Sequence, residues 1–168
     1  MPTPKLQPSR AIQVLPSNDA NLPTPNVLIS GVTTSAVTNQ LIDTNASFIV
    51  TTPTGVQYKV NPGDVVYITS IPTAVTIVEV VNATTLLLNV NLGTGGPENY
   101  TIYQNGSQTG LFNQGAVLYV GNAGDLKVTT SGNDIVLFAN VQAGTFIPVN
   151  VIKVWSSETI ASSILALW

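Results

Sequence analysis

Eight carboxylates, Asp19, Asp43, Asp64, Glu79, Glu98, Asp125, Asp134 and Glu158, are the acid–base groups with which this 168-residue chain could run chemistry near neutral pH, because it contains neither His nor Cys. A glycoside hydrolase would need two of them facing each other across a cleft. Asp64, Asp125 and Asp134 instead lie in or beside turn sequences, where a side-chain hydrogen bond to the backbone accounts for an aspartate without any catalytic role. Zinc, iron–sulfur and haem sites lack their usual thiolate and imidazole ligands. The spacing of a calcium loop, D-x-[DN]-x-[DN]-G, does not occur. Gly93-Thr-Gly-Gly96 has the glycines of a phosphate cradle but no following Lys and no helix pattern, so it reads as a hairpin tip. A serine nucleophile would have to borrow a lysine base, and no Ser-x-x-Lys pattern stands at Lys5, Lys59, Lys127 or Lys153. The expectation is a non-enzymatic protein without a cofactor or metal.

Binding chemistry has more material. Tyr58, Tyr67, Tyr100 and Tyr103 could form a platform on which sugar rings stack, although aromatics spaced through strands also serve as core and cross-strand pairs. The five cations, Lys5, Arg10, Lys59, Lys127 and Lys153, form no run, and the net charge is −3. Neutralising phosphates takes clustered cations, which argues against nucleic acid and against an anionic membrane surface as partners. No stretch of about 18 uncharged apolar residues occurs, and MPTPKLQPSR lacks the apolar run of a secretory signal.

The elements that must carry these residues are strands. Val, Ile and Thr make up 56 of 168 residues, and β-branched side chains suit pleated surfaces. Turn dipeptides at Pro62-Gly63, Gly95-Gly96, Asn105-Gly106, Gly121-Asn122, Ser131-Gly132 and Ala143-Gly144 punctuate short apolar runs. The expected fold is all-β, with an extended Pro-rich N-terminal arm over 1–26, a small SH3-like or OB-like β-barrel module over 27–104, and a C-terminal β-sandwich over 105–168 completed by part of the arm.

Six of eleven prolines lie within the first 25 residues, which disfavours helix and sheet interior there. Apolar residues among them make this stretch an arm lying on its own body or on a neighbour. Pro4, Leu6, Pro8, Ile12, Val14 and Leu15 are its candidate contact residues, and removing residues 1–25 is expected to leave the body folded. Within 27–104, five or so short strands are expected, among them 65–68, 74–81, 85–90 and 100–103, with Asn61-Pro62-Gly63-Asp64 as a type II turn. The last part gives strands at 116–120, 126–130, 135–139, 146–155 and 164–168. In the fourth, Pro148 requires an edge or a bulge. Strict alternation puts Ile147, Val149, Val151, Lys153 and Trp155 on one face and Phe146, Ile152 and Val154 on the other. Phe146, Trp155, Leu167 and Trp168 are the candidate anchors for packing or oligomerisation.

The phrases Leu118-Tyr-Val-Gly121, Gly124-Asp-Leu126, Gly144-Thr-Phe-Ile-Pro-Val149 and the ending Ile164-Leu-Ala-Leu-Trp168 resemble a small β-domain of tailed-bacteriophage virion proteins, in particular the head-spike base proteins of gene transfer agents. The segment Ala11 to Pro23 resembles the lead-in to the same domain. Leu41-Ile-Asp-Thr-Asn-Ala-Ser-Phe48, Gly63-Asp-Val-Val-Tyr67 and Tyr100-Thr-Ile-Tyr103 are similar to phrases of cyanophage structural proteins, and the module that holds them stands as an insertion. The resemblance implies a structural virion protein assembled in the host cytoplasm. A capsid decoration, or cement, protein on the outer shell is the first expectation, with the major capsid protein and its own copies as partners, a trimer before a pentamer. A head-vertex spike base, a neck or tail component, and a host-glycan-binding adhesin are the alternatives.

Overall fold

The computed structural model describes residues 8–93, 97–105 and 115–168. Among them are fifteen strands and no helix. The strands are β1 (Ala11–Gln13), β2 (Pro23–Val32), β3 (Ser35–Val37), β4 (Gln40–Ile42), β5 (Ile49–Thr52), β6 (Gly55–Tyr58), β7 (Val65–Ile68), β8 (Val75–Asn82), β9 (Thr85–Leu88), β10 (Asn99–Asn105), β11 (Ala116–Asn122), β12 (Gly124–Thr130), β13 (Ile135–Val141), β14 (Thr145–Val154) and β15 (Ser162–Leu167). They form a six-stranded sheet in the order β1-β15-β11-β14-β12-β13, a seven-stranded sheet in the order β2-β10-β7-β8-β9-β4-β3, and the ribbon β5-β6.

Each large sheet has its own core. In the six-stranded sheet, alternate residues Leu118 and Val120 of β11 and Leu126 and Val128 of β12 are wholly buried against Ile147, Val151, Ile164 and Ala166. In the seven-stranded sheet, Leu41, Phe48, Val66, Leu86 and Ile102 are wholly buried together. Its two edge strands are joined through Thr33-Thr34 alone. The Thr33 N–H donates to Glu98 O, beside β10, and the Thr34 N–H donates to Ile42 O, at the end of β4, so the ends of this sheet meet. Nine strands, β2 to β10, occupy a stretch for which the turn spacing predicts about five. The turn at Asn61–Asp64 has the expected form: Gly63 takes φ 90°, and the Asp64 N–H donates to Asn61 O at 3.1 Å.

Strand β14 turns a corner. Its first half pairs with β11 and its second half with β12, with register irregularities between Ile147 and Val151 and between Val151 and Lys153. Pro148 therefore sits in a bulge, where its missing N–H costs no ladder bond. These irregularities correct the face assignment made by strict alternation: Ile147, Val151 and Val154 share the core, whereas Val149 is exposed and Lys153 and Trp155 lie on the other side.

The N-terminal stretch lies on the chain's own body. β1 pairs with β15, Ile12 facing Ala166. Val14 and Leu22 are buried in the first core, while Leu15 and Ala20 pack with Val65, Tyr67 and Ala74 of the second sheet's flank. The backbone between them is hydrogen-bonded at intervals, Val14 N–H to Ile164 O, Ser17 N–H to Val154 O and Leu22 N–H to Ile152 O. Ser17 Oγ accepts from the Ala20 N–H at 3.0 Å and folds the chain back. Pro23 and Pro25 belong to β2, tolerated because β2 is an edge strand. The arm boundary at 26 thus falls inside a strand. Pro4, Leu6 and the turns at Gly95-Gly96 and beyond Asn105 lie outside the described residues.

Two stability outcomes follow from this lacing. Removing residues 1–25 takes away β1, Val14, Leu22 and the start of β2, so cooperative unfolding in urea should be lost or shifted to much lower denaturant. Val14→Ala should cost about 2 kcal/mol in the same titration; an unchanged midpoint would show that this segment adds nothing to the core.

Candidate functional site

The antiparallel pair β7 and β10 sorts its side chains by period two. Val66, Ile68, Tyr100 and Ile102 point into the core of the seven-stranded sheet. Val65, Tyr67, Thr101 and Tyr103 point the other way, with Tyr67 opposite Thr101 and Val65 opposite Tyr103. That second face looks across a crevice of about 570 Å³ to residues of the six-stranded sheet. Its walls are Tyr67, Thr69, Asn99, Thr101 and Tyr103 on one side, and Gln13, Leu15, Pro16, Ser162 and Ser163 on the other.

The rings of Tyr67 and Tyr103 meet edge to face, their centroids 5.0 Å apart. Burial holds both hydroxyls protonated above the usual tyrosine range. Across from them, Asn122 Nδ2 donates to Ser162 Oγ at 3.0 Å and to Ser163 Oγ at 2.9 Å. Ser163 holds a left-handed φ of 53° inside a strand, a conformation that a side chain seldom adopts without a compensating contact.

Of the four tyrosines considered for a stacking platform, Tyr67 and Tyr103 pair on the crevice side of β7 and β10. Tyr58 lies exposed on the separate ribbon. Tyr100 is 2% exposed, and its hydroxyl donates to Asp43 Oδ2 at 2.7 Å. Desolvation first, then the hydrogen bond and charge of Asp43, raise the Tyr100 pKa far above its ordinary value. Gly31 crosses over this pair; a Cβ there would stand 2.7 Å from both Asp43 Oδ2 and the Tyr100 hydroxyl.

Of the turn aspartates, Asp64 and Asp125 bind backbone, whereas Asp134 Oδ2 accepts from the Thr130 hydroxyl at 3.5 Å. Asp64 is fully buried and accepts from the Asn61 and Asn105 N–H groups, both at 2.8 Å. Burial raises its pKa, and the two backbone donors oppose that shift. Asp125 accepts from the Asn140 N–H at 2.8 Å. Among the described residues no three of His, Cys, Asp and Glu are grouped to hold a metal ion, and no helix is long and apolar enough to cross a membrane.

The candidate contact residues of the N-terminal stretch separate. Pro8 is exposed and Ile12 half-buried, but Val14 is closed in the core and Leu15 lies beside Tyr67, so the last two are used by the chain's own body. Among the anchors, Phe146 is 52% exposed and packs on Tyr119 with 5.2 Å between centroids. Trp155 lies between two ammonium groups, Lys153 Nζ at 4.6 Å and Lys127 Nζ at 5.4 Å from its ring, and donates from Nε1 to Thr129 Oγ1 at 2.9 Å. Lys127 also pairs with Glu158. Leu167 lies in the ladder between Ala11 and Val117, and the Trp168 ring packs on the first core. Sequence reasoning passed over Gln13, Asn99, Ser162 and Ser163. Alternation along Asn99–Tyr103 carries the signal for Asn99, and no local pattern marks the other three.

Comparisons with family models, with curated proteins and with solved structures found no match for the chain.

Tyr100→Phe leaves a buried Asp43 oxygen without its donor and should cost about 1 to 3 kcal/mol in chemical denaturation. Gly31→Ala should cost about 2 kcal/mol by forcing the same pair apart. In the unfolded chain a tyrosine ionises near pH 10, whereas folded Tyr67 and Tyr100 keep their protons to higher pH. Stability from these two is therefore fully present below pH 10 and lost as the pH climbs from there toward the folded values. Tyrosinate absorbance should show them ionising together with unfolding; early, independent ionisation would contradict their burial.

Proposed function

We propose that the chain is a structural protein of a tailed-bacteriophage virion, a decoration protein that lies on the outer capsid surface and stabilises the shell. The observation that carries this reading is the free edge of the six-stranded sheet. β13, with the sequence Ile135-Val-Leu-Phe-Ala-Asn-Val141, pairs only with β12 among the described residues. It has no charged side chain and no proline, and Ile135 and Leu137 are 59% and 48% exposed. Proteins that remain alone in water guard such an edge with lysine, proline or a covering segment. A strand left this way gains from being covered by another protein, and the low charge of the chain, 8% of residues, keeps the desolvation cost of broad contacts small.

The resemblance of the 116–168 phrases to virion β-domains supports the same reading. A ligand that binds only the closed shell adds its binding free energy to the stability of that shell. Self-association, as a trimer before a pentamer, belongs to the proposal because copies set on a symmetric lattice meet through repeated contacts.

Copy number tests it. Quantitative mass spectrometry of purified virions should give a ratio to the major capsid protein near one or a simple fraction. A few copies per particle would move the protein to a vertex, neck or tail, and none would overturn the virion reading. Ile135→Lys combined with Leu137→Lys should leave the midpoint of unfolding within about 0.5 kcal/mol per site and should weaken binding to capsids stripped of the protein; undiminished binding would remove β13 from the contact.

A further inference from the structure

We propose that the crevice between the two sheets binds a neutral pyranose sugar, presented as part of an oligosaccharide. This goes beyond the shell-binding role and does not rest on it. Among the described residues no Asp, Glu, Lys or Arg lines the crevice, which holds hydroxyl, amide and phenol groups from Gln13, Thr69, Asn99, Tyr103, Ser162 and Ser163. An ionic ligand would find no counter-charge there. A purely apolar ligand would strand those polar groups without partners.

A pyranose ring matches both demands. Its C–H face can lie on an aromatic ring while its hydroxyls bond around the edge, and the Tyr67–Tyr103 pair supplies a preformed aromatic wall. On the opposite wall, both serine oxygens already accept from Asn122 Nδ2, which leaves each hydroxyl proton free to donate toward a ligand oxygen. The left-handed φ of Ser163 lies on this wall. Backbone strain held in place by side-chain hydrogen bonds is a recurring property of binding sites. The volume, about 570 Å³, lies within the usual range for small-ligand sites.

The test uses the full chain labelled with nitrogen-15 and titrated separately with maltotriose, cellotriose, chitotriose and mannotriose, with glycerol as a control. At least one sugar should give saturable shifts in the backbone amides of Thr69, Asn99, Thr101, Ser162 and Ser163. Ser163→Gly removes one hydroxyl and relieves its backbone, so it should weaken that binding about fivefold, the equivalent of one hydrogen bond, without lowering the melting temperature. Tyr103→Ala should abolish the shifts, its folding checked by the dispersion of the same spectrum. Absence of saturable shifts with all four sugars, shifts centred elsewhere, or equal shifts with glycerol would each overturn the proposal.

Discussion

The stretch from Ser9 to Leu22 is the constraint on which the rest of the structure depends. It contributes side chains to the packing of both sheets, Val14 and Leu22 buried in the first core, and buried Ala20 with half-buried Leu15 on the flank of the second. Burying each large apolar side chain is worth about 1.5 to 3 kcal/mol. That gain has to exceed the entropy of ordering the segment, which is lowered where Pro16 within it and Pro23 just after it restrict their own and the preceding backbone. Lys153 Nζ and the Ser157 N–H, which donate to Asn18 O and Asn18 Oδ1, add polar ties across the same seam. The crevice exists because this segment sets the two sheets side by side, with Gln13, Leu15 and Pro16 forming part of its wall.

Strand existence was legible wherever four residues or more were mainly apolar or β-branched and were bounded by turn signals. Val65–Ile68, Thr85–Leu88 and the five strands after residue 115 meet that condition. β3 and β4, three residues each, are too short to show a period, and β5 and β6 form a ribbon apart from the large sheets, with β6 exposed throughout, so a buried face does not mark their sequence. β2 was hidden by Pro23 and Pro25, which count against a strand until it is known to be an edge. Prolines misled in the same way on either side of β1, where Pro8 and Pro16 confine its ladder with β15 to three residues. What they do not forbid is docking by isolated hydrogen bonds, and that is decided by partners more than 130 residues away, as between Ser17 and Val154.

Phase within a strand was harder to read than the strand itself. Val154 changes face because two irregularities separate it from Ile147, and nothing in Pro148-Val-Asn-Val-Ile-Lys153 gives their positions except the proline. The candidate site was legible only in part for a related reason. Tyr67 and Tyr103 carry visible alternation, but the partner that turns Tyr100 inward, Asp43, lies 57 residues away, and Ser162 and Ser163 reach the crevice only through the pairing of β15 with β1 and β11.

Strand order lets the two proposed surfaces coexist. β15, whose first residues face the crevice, and β13, whose edge is open, belong to one sheet with β11, β14 and β12 between them. A protein pairing with the β13 edge would add a strand beyond β13 and leave the β15 side of the sheet unchanged. Coverage of one surface therefore does not consume the other. The absence of charge from both has separate physical consequences: at the β13 edge it removes the electrostatic guard against pairing, and in the crevice it leaves recognition to stacking and hydroxyl geometry. Rigid coupling through Ser9 to Leu22 would hold the crevice in one geometry while the edge is occupied, so a docked copy would present the crevice without first having to order it.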